Sequence, residues 1–311
     1  MQSAGKPDGE LMKKILIIKN PAAGSFSGRE LDRSLEKSLA GEGVSLEMLA
    51  VDHSKPLRTQ IEDSNPEKYD LVVAVGGDGT VAGVAGVLSG TDKPLGIIPT
   101  GTGNLLAREL KIPLRTSRAV ELLARDYSEK IIDVMKLNDR IFLSNIGVGL
   151  SGVTIRNLSK SDKRIWGFLA YIGGTLRNLG KVRPQRFTVE ADGELMVIRS
   201  PEVSISNSGI INRMVIPQSP EIRMDDGALD VCYVKADSIR DYPRIFLNLI
   251  RRKPHYTIIR SIQVRNSITV ESEKPADVQA DGELMGKTPV TVKLLPHALR
   301  VIVPSSEDTE N

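Results

Sequence analysis

The chain is poor in the residues that build metal clusters and covalent cross-links. Its 311 residues include one cysteine, Cys232, and three histidines, His53, His255 and His297. A single thiol closes no internal disulfide, and no His, Cys or Glu pair stands at zinc-ligand spacing. The scattered histidines give a serine-hydrolase triad no support. Aromatic side chains make up only 4% of the sequence. No apolar run reaches the roughly 20 residues that cross a bilayer as a helix, and no basic stretch followed by an apolar core opens the chain. Forty-two basic residues against thirty-nine acidic ones leave a net charge of +3. That is too weak a field to call for a nucleic-acid partner, and it does not oppose an anionic membrane surface. No GxxxxGK[ST] is present, so a P-loop is excluded. The expectation is a cytoplasmic protein without a transmembrane segment, any membrane contact being peripheral.

What the chain does have is length, glycine and a change of pattern partway along. A chain of 311 residues is long for one hydrophobic core, so two domains are expected. In the first, apolar runs alternate with helical spacing. "KKILIIK", "VSLEMLAV", "DLVVAV" and "PLGIIP" read as strands. Leu31, Leu35 and Leu39 fall on one helical stripe, a second helix is expected from Pro56 to Asn65, and "VAGVAGVLSG" reads as a small-residue helix. Such alternation predicts a parallel sheet covered on both faces, whose ligands sit beyond the carboxyl ends of the strands. Three glycine-bearing loops fall there: Asn20–Gly24, Gly76–Thr80 and Thr100–Asn104. Without Cβ atoms the backbone of Gly76, Gly77 and Gly79 turns sharply and approaches a ligand closely. The helix that starts near Thr80 then aims its N-terminus at phosphate oxygens. Asp78 repels phosphate directly, but it reaches one through Mg²⁺, accepts from a ribose hydroxyl or orients the loop. Any one of these loops alone is ordinary turn chemistry; the three together suggest a nucleotide phosphate site.

From about Asp133 the pattern turns to β runs separated by turn residues, which predicts an antiparallel β domain. Helical insertions are expected near Ser161–Leu179 and Asp241–Lys253. The first mixes Trp166, Phe168, Leu169, Tyr171 and Leu176 with Lys163, Arg164, Arg177 and Lys181. That composition suits either an interfacial helix or one packed on the core. "GVGLSG", Gly147–Gly152, matches GxGxxG, but no βαβ unit surrounds it and it is read as a loop. The hexapeptide ADGELM occurs twice, at residues 191–196 and 280–285. Asp-Gly between alternating runs is a strong hairpin signal. The first copy, with Asp192-Gly193, fits an exposed turn with no further role. In the second, Gly286 and Pro289 break the returning strand early.

Taken in order, "NPAAG", "GGDGT", "PTGTGN", "SPEIRMDDGALDV" and "DVQADGE" resemble the diacylglycerol kinase catalytic-domain family, the lipid kinases that include sphingosine and ceramide kinases. The resemblance runs from Asn20 to Pro304. It implies an NAD-kinase-like α/β domain over residues 1–133 that binds ATP, and a larger antiparallel β-sandwich over 134–296 that holds the lipid. A cleft would lie between them, and a strand near 297–304 would return to the first domain. It further implies Mg²⁺-dependent transfer of the γ-phosphoryl of ATP to a lipid hydroxyl, diacylglycerol being the first expectation. The lipid would be presented at a membrane surface, with a homodimer left open.

By the same resemblance Asp281 is the general base, Glu283 lies near nucleotide and metal, and Asp78 joins the catalytic set. Asn20, Gly24, Gly76, Gly77, Asp78, Gly79, Thr80, Thr100, Gly101, Thr102, Gly103, Asn104 and Glu283 are the nucleotide-site candidates. Asp226, with the backbone carbonyls of Arg223 and Ala228, would hold a structural Mg²⁺, and Asp133 matches an acid that bears on metal or nucleotide. Leu105-Leu106 stand where many bacterial members carry Asp-Phe, which leaves the lipid open: a sphingoid or ceramide acceptor is an alternative. So are an NAD kinase and a non-catalytic nucleotide-binding regulator.

Overall fold

The computed structural model describes residues 13–21, 28–39, 44–124, 127–158, 178, 182–210, 222–242 and 259–305. The chain divides into two compact units. The first comprises Met1–Gly101, Lys111–Lys130 and Arg300–Asn311; the second comprises Thr102–Leu110 and Ile131–Leu299. Residues 102–110, placed by sequence in the first domain, thus belong to the second unit.

In the first unit, strands β1 (Lys13–Lys19), β2 (Val44–Ala50), β3 (Leu71–Gly76) and β4 (Leu95–Pro99) run parallel in the order β2-β1-β3-β4. Every residue of β3 and β4 is buried, as an apolar run in a sheet covered on both faces requires. Helix α1 (Gly28–Leu39) buries Leu31, Leu35 and Leu39, the stripe expected from their four-residue spacing. Helices α2 (Leu57–Asp63) and α3 (Asp78–Leu88) follow β2 and β3, and α5 (Thr116–Ala124) supplies buried Val120 and Leu123. α4 (Leu105–Glu109) is a short helix of the second unit.

β5 (Ser128–Leu137) passes from the first unit into the second at Ile131 and turns back there through β6 (Arg140–Phe142). Then come β7 (Asn145–Gly149), α6 (Leu150–Asn157), β8 (Gln185–Ala191), β9 (Glu194–Ser200), β10 (Glu202–Ser206) and β11 (Leu229–Val234). β12 (Ile259–Val264), β13 (Ser267–Ser272), β14 (Asp277–Ala280), β15 (Glu283–Lys287) and β16 (Val290–Val303) complete it. One antiparallel set is ordered β16-β13-β8-β9 and the other β12-β11-β10-β7-β14-β15. The two share one core, in which Phe187, Val189, Ile268 and Val292 meet Ile146, Val148, Val203, Ile205 and Val278. Within the first unit, Val301 at the end of β16 lies parallel to Leu95 of β4.

Side-chain alternation in the second set has an unusual outcome. The core face is apolar, while Asn145, Ser206, Asp230 and Gln279 stand at the alternate positions, yet these too are at most 5% exposed. Burying polar groups this way is tolerable only if they bond to one another or to something else.

One expectation needs correction. Gly147–Gly152 is not a loop but the end of β7 and the first turn of α6. Its glycines are demanded by packing. A Cβ on Gly152 would stand 2.4 Å from the carbonyl oxygen of Asp277, and one on Gly149, at φ 118°, 2.4 Å from that of Pro201. The stripe Trp166–Leu176, Gly24 and nearly all of the second insertion lie outside the described residues. Among the described residues no helix is long and apolar enough to cross a membrane.

Candidate active site

The first-unit loops assemble as strand ends. Asn20 N–H donates to Val75 C=O at 3.0 Å, and Thr100 N–H to Gly76 C=O at 3.0 Å, so the loops after β1 and β4 are both tied to β3. Asn20 Nδ2 donates to Thr80 Oγ1 at 3.0 Å. A Cβ on Gly76 would meet the Thr80 side chain at 2.4 to 2.8 Å, which excludes every other residue there. On Gly77 it would press on Gly101 Cα at 3.3 Å, whereas on Gly79 it would meet nothing within 4 Å. The loop is therefore closed on its protein side and open beside the first turn of α3. Asp78 begins α3, where its charge complements the helix N-terminus. Thr100 Oγ1 is buried without a hydrogen-bond partner, a polar atom in search of a ligand group.

Sequence reasoning missed His53, whose Nε2 sits 3.1 Å from Asn20 Oδ1; nothing local to His53 signals this contact. Asn20, Gly76–Thr80, Thr100 and Gly101 are thus brought together in the first unit. Thr102, Gly103 and Asn104 fall in the second. There Asn104 takes φ 50° ahead of α4, and Arg108 Nε donates to Gly103 C=O at 2.8 Å.

The two hexapeptides turn out to be one device used twice. Asp192-Gly193 joins β8 to β9 and Asp281-Gly282 joins β14 to β15, each as a two-residue turn with both residues at positive φ. Asp281 Oδ2 accepts the Leu143 N–H at 2.7 Å, and Oδ1 accepts those of Ser144 and Asn145 at 3.0 and 2.9 Å. Asp192 Oδ2 accepts the Arg265 N–H at 2.6 Å, and Oδ1 those of Asn266 and Ser267 at 2.8 and 3.0 Å. Even the return bonds match: Asp281 N–H donates to Asn145 C=O at 2.9 Å and Asp192 N–H to Ser267 C=O at 3.0 Å. The exposed first turn is therefore not without a role, because its carboxylate staples the approach to β13 as Asp281 staples the approach to β7. Burial pushes the Asp192 carboxyl up, but the N–H groups of Arg265, Ser267 and Asn266 outweigh that and hold it below the usual carboxylate range.

Four other acids sort by their surroundings. Glu283 pairs with Arg140 at 2.6 Å, both side chains about half exposed, and the guanidinium lies 5.2 Å from the Phe142 ring centroid. Asp133 is fully buried. Its Oδ2 accepts the Gly227 N–H at 2.8 Å and its Oδ1 the His297 N–H at 2.7 Å. Both oxygens accept from backbone N–H groups, so Asp133 braces the Asp226-Gly227 turn. Asp226 Oδ1 accepts the Ala228 N–H at 3.1 Å. Nearby Asp230, 4% exposed, has a buried Oδ2 with no hydrogen-bond partner. Burial, and then the charge of Asp226, push its carboxyl up to about 6. Asp226 and Asp230 are the candidate acids for a divalent cation here, although no cluster of three ligating acids, histidines or cysteines occurs among the described residues.

The first unit is thus a parallel-stranded sheet with glycine-rich loops at its strand ends, and the second a two-sheet unit carrying the Asp281 turn. The diacylglycerol kinase catalytic domain profile matches residues 14–137, and the YegS C-terminal NAD kinase beta sandwich-like domain profile matches residues 144–303. The chain therefore belongs to the diacylglycerol kinase family of lipid kinases. It is 26% identical over 312 residues to a diacylglycerol kinase of Mycobacterium tuberculosis, covering 97% of this chain and 99% of that one. To a diacylglycerol kinase of Staphylococcus aureus it is 28% identical over 303 residues, covering 95% and 94%. A solved diacylglycerol kinase structure from Bacillus anthracis shares the fold, with a TM-score of 0.71 at 23% identity over 96% of this chain and 99% of that one.

Proposed function

We propose that this lipid kinase uses ATP and Mg²⁺ to phosphorylate the free hydroxyl of diacylglycerol, yielding phosphatidic acid. The observation that carries the nucleotide half is the convergence of Asn20, Gly76–Thr80, Thr100 and Gly101 at the strand ends of one parallel sheet. Backbone N–H groups of Gly77 to Gly79 and the N-terminus of α3 receive the phosphates. The Thr100 hydroxyl gains the partner it otherwise lacks. Asp78 would hold Mg²⁺ to the nucleotide, and Asp226 with the Arg223 and Ala228 carbonyls would hold a structural Mg²⁺. When bound, the cation supplies charge neutralisation.

Asp281 is assigned as acceptor of the lipid hydroxyl proton. Its carboxylate is fixed in orientation by three backbone donors, which suits phosphoryl transfer. The transition state is loose, so aiming the hydroxyl counts for more than abstracting its proton early. The family names of the relatives favour diacylglycerol as acceptor. The sandwich profile carries the NAD kinase name, which keeps NAD⁺ in the test as a competing acceptor.

The test is labelled ATP with diacylglycerol, monoacylglycerol, ceramide, sphingosine and undecaprenol in mixed micelles, and NAD⁺ in buffer. Transfer to diacylglycerol above all others is expected. Transfer to NAD⁺ alone, or ATP binding with no transfer, overturns the reading.

A further inference from the structure

The two staples share their aspartate, their turn and their bonding, so none of these explains why one copy should act on a substrate. What differs is the residue two places before the aspartate: Glu190 in the first copy and Gln279 in the second. Glu190 is exposed, while Gln279 is 4% exposed. Gln279 Oε1 accepts the Gly282 N–H at 3.0 Å, and its Nε2 donates to Asn145 Oδ1 at 2.9 Å. Asn145 N–H in turn donates to Asp281 Oδ1 at 2.9 Å. The bonds close a ring, Asp281 to Asn145 to Gln279 to Gly282, around the Asp281 turn. Asn145 is itself fixed, its Nδ2 reaching Ser204 Oγ at 2.7 Å and Ser206 Oγ at 3.0 Å.

We propose that Gln279 and Asn145 are positioning residues that lock the Asp281 turn, and so its carboxylate, in the orientation that receives the substrate hydroxyl. The proposal rests on the reading of Asp281 as that acceptor. A glutamine is the side chain this place requires, because the ring needs an acceptor toward Gly282 and a donor toward Asn145 at the two ends of one short group. A carboxylate supplies only acceptors, so a glutamate here opposes the Asn145 oxygen until it binds a proton. Once protonated it again donates at one oxygen and accepts at the other. The charged groups facing this site are Asp281 across the ring, Glu202 from β10, which would share the space above Gly147, and Asp277 earlier on β14, paired with Arg156 at 2.5 Å. Nearby acids and burial all favour the protonated form of such a glutamate.

The experiment compares Gln279→Glu, Gln279→Met and Glu190→Gln with wild type, measuring kcat and KM for ATP in lipid phosphorylation from pH 5.5 to 8.5, with thermal midpoints at each pH. Dividing by the wild-type value at each pH removes titrations that both proteins share. Gln279→Met keeps the shape and loses both bonds; it is expected to lower kcat at least about tenfold at every pH with KM for ATP unchanged, since small misplacements of a reacting group are costly. Gln279→Glu is expected to match that loss at pH 8.5 and to recover toward wild type at pH 5.5. Glu190→Gln is expected to stay within about twofold of wild type, which a purely structural reading of the repeated turn does not separate from Gln279. A Gln279→Met kcat within about twofold of wild type, or a Gln279→Glu ratio flat with pH, overturns the proposal. If Asp281→Asn keeps full activity, the acceptor assignment falls first, and wild-type protein that phosphorylates no lipid removes the function reading itself.

Discussion

Changing each stapling aspartate to asparagine separates structure from chemistry inside one molecule. An asparagine keeps one oxygen, which can stay on the two N–H groups now bonded to Oδ1. Its amide nitrogen must then face the third N–H, that of Leu143 at position 281 or of Arg265 at position 192. Each variant thus loses one bond to a charged acceptor, sets a donor against a donor and turns two charge-assisted bonds into neutral ones. Hydrogen bonds to charged groups are worth about 1.5–3 kcal/mol. For half-buried Asp281 a cost of about 2 kcal/mol follows, and for exposed Asp192, screened by solvent, about 1 kcal/mol. With each kcal/mol shifting the midpoint by about 2–4 °C in a unit of this size, both variants stay folded and melt a few degrees early.

Activity is where they part. Losing a general base costs about 10²–10⁴-fold, so Asp281→Asn should lose that much kcat while still binding ATP, and Asp192→Asn should stay near wild type. The assay is kcat at saturating ATP and lipid, well below both midpoints. Equal losses, or the larger one at Asp192, would refute the acceptor assignment. Acid titration adds an independent check. The folded-state pKa of Asp192 lies below its ordinary 3.8. Its contribution is therefore complete above that value and is lost as the pH falls through the lower, folded one. The stability gap between wild type and Asp192→Asn should close as the pH drops below about 4; a gap that persists there assigns it to turn geometry instead.

Gly77→Val should weaken ATP binding strongly, because its side chain enters where Gly101 already lies 3.3 Å from an added Cβ; calorimetry showing wild-type affinity would refute the phosphate-loop assignment. Asp226→Ala should lower the thermal midpoint and abolish its sensitivity to EDTA, and equal EDTA responses in both proteins would reduce Asp226 to a turn residue. Glu202 takes the Ser151 N–H at 3.0 Å and its hydroxyl at 2.5 Å, and burial pushes its carboxyl from 4.5 to about 7. The folded state holds this proton more tightly, so wild-type stability should fall as pH rises from about 4.5 to about 7. Glu202→Gln should flatten that slope in thermal melts, and an unchanged slope would place the titration elsewhere.

The first unit was largely legible because its determinants are local. Unbroken apolar runs can only be central strands of a covered sheet, the Leu31, Leu35 and Leu39 spacing is helical, and glycine at strand ends marks close backbone approach. The second unit was legible as β pattern but not in its polar chemistry. Asp133 reads as one more acid near a domain start, yet its role depends on Gly227 and His297, 94 and 164 residues away. His53 bonds to a residue 33 positions back. Turn signals, by contrast, announce themselves in two letters, which is why Asp192-Gly193 was recognised as a turn and misjudged as an idle one.

That misjudgement shows what a repeated word in a sequence specifies. ADGELM encodes a two-residue turn and an aspartate directed back along the sheet, and it does so identically at both places. What the aspartate staples is set elsewhere: the Leu143–Asn145 segment for one copy and the Arg265–Ser267 turn for the other. If Asp281 is the hydroxyl-proton acceptor proposed above, the step from staple to catalytic group requires only a change of surroundings. A buried glutamine replaces an exposed glutamate two residues upstream, and an arginine closes on the glutamate two residues downstream. Transplanting either feature alone into the first copy should add no activity, because the proposed chemistry resides in the neighbours that the second copy meets.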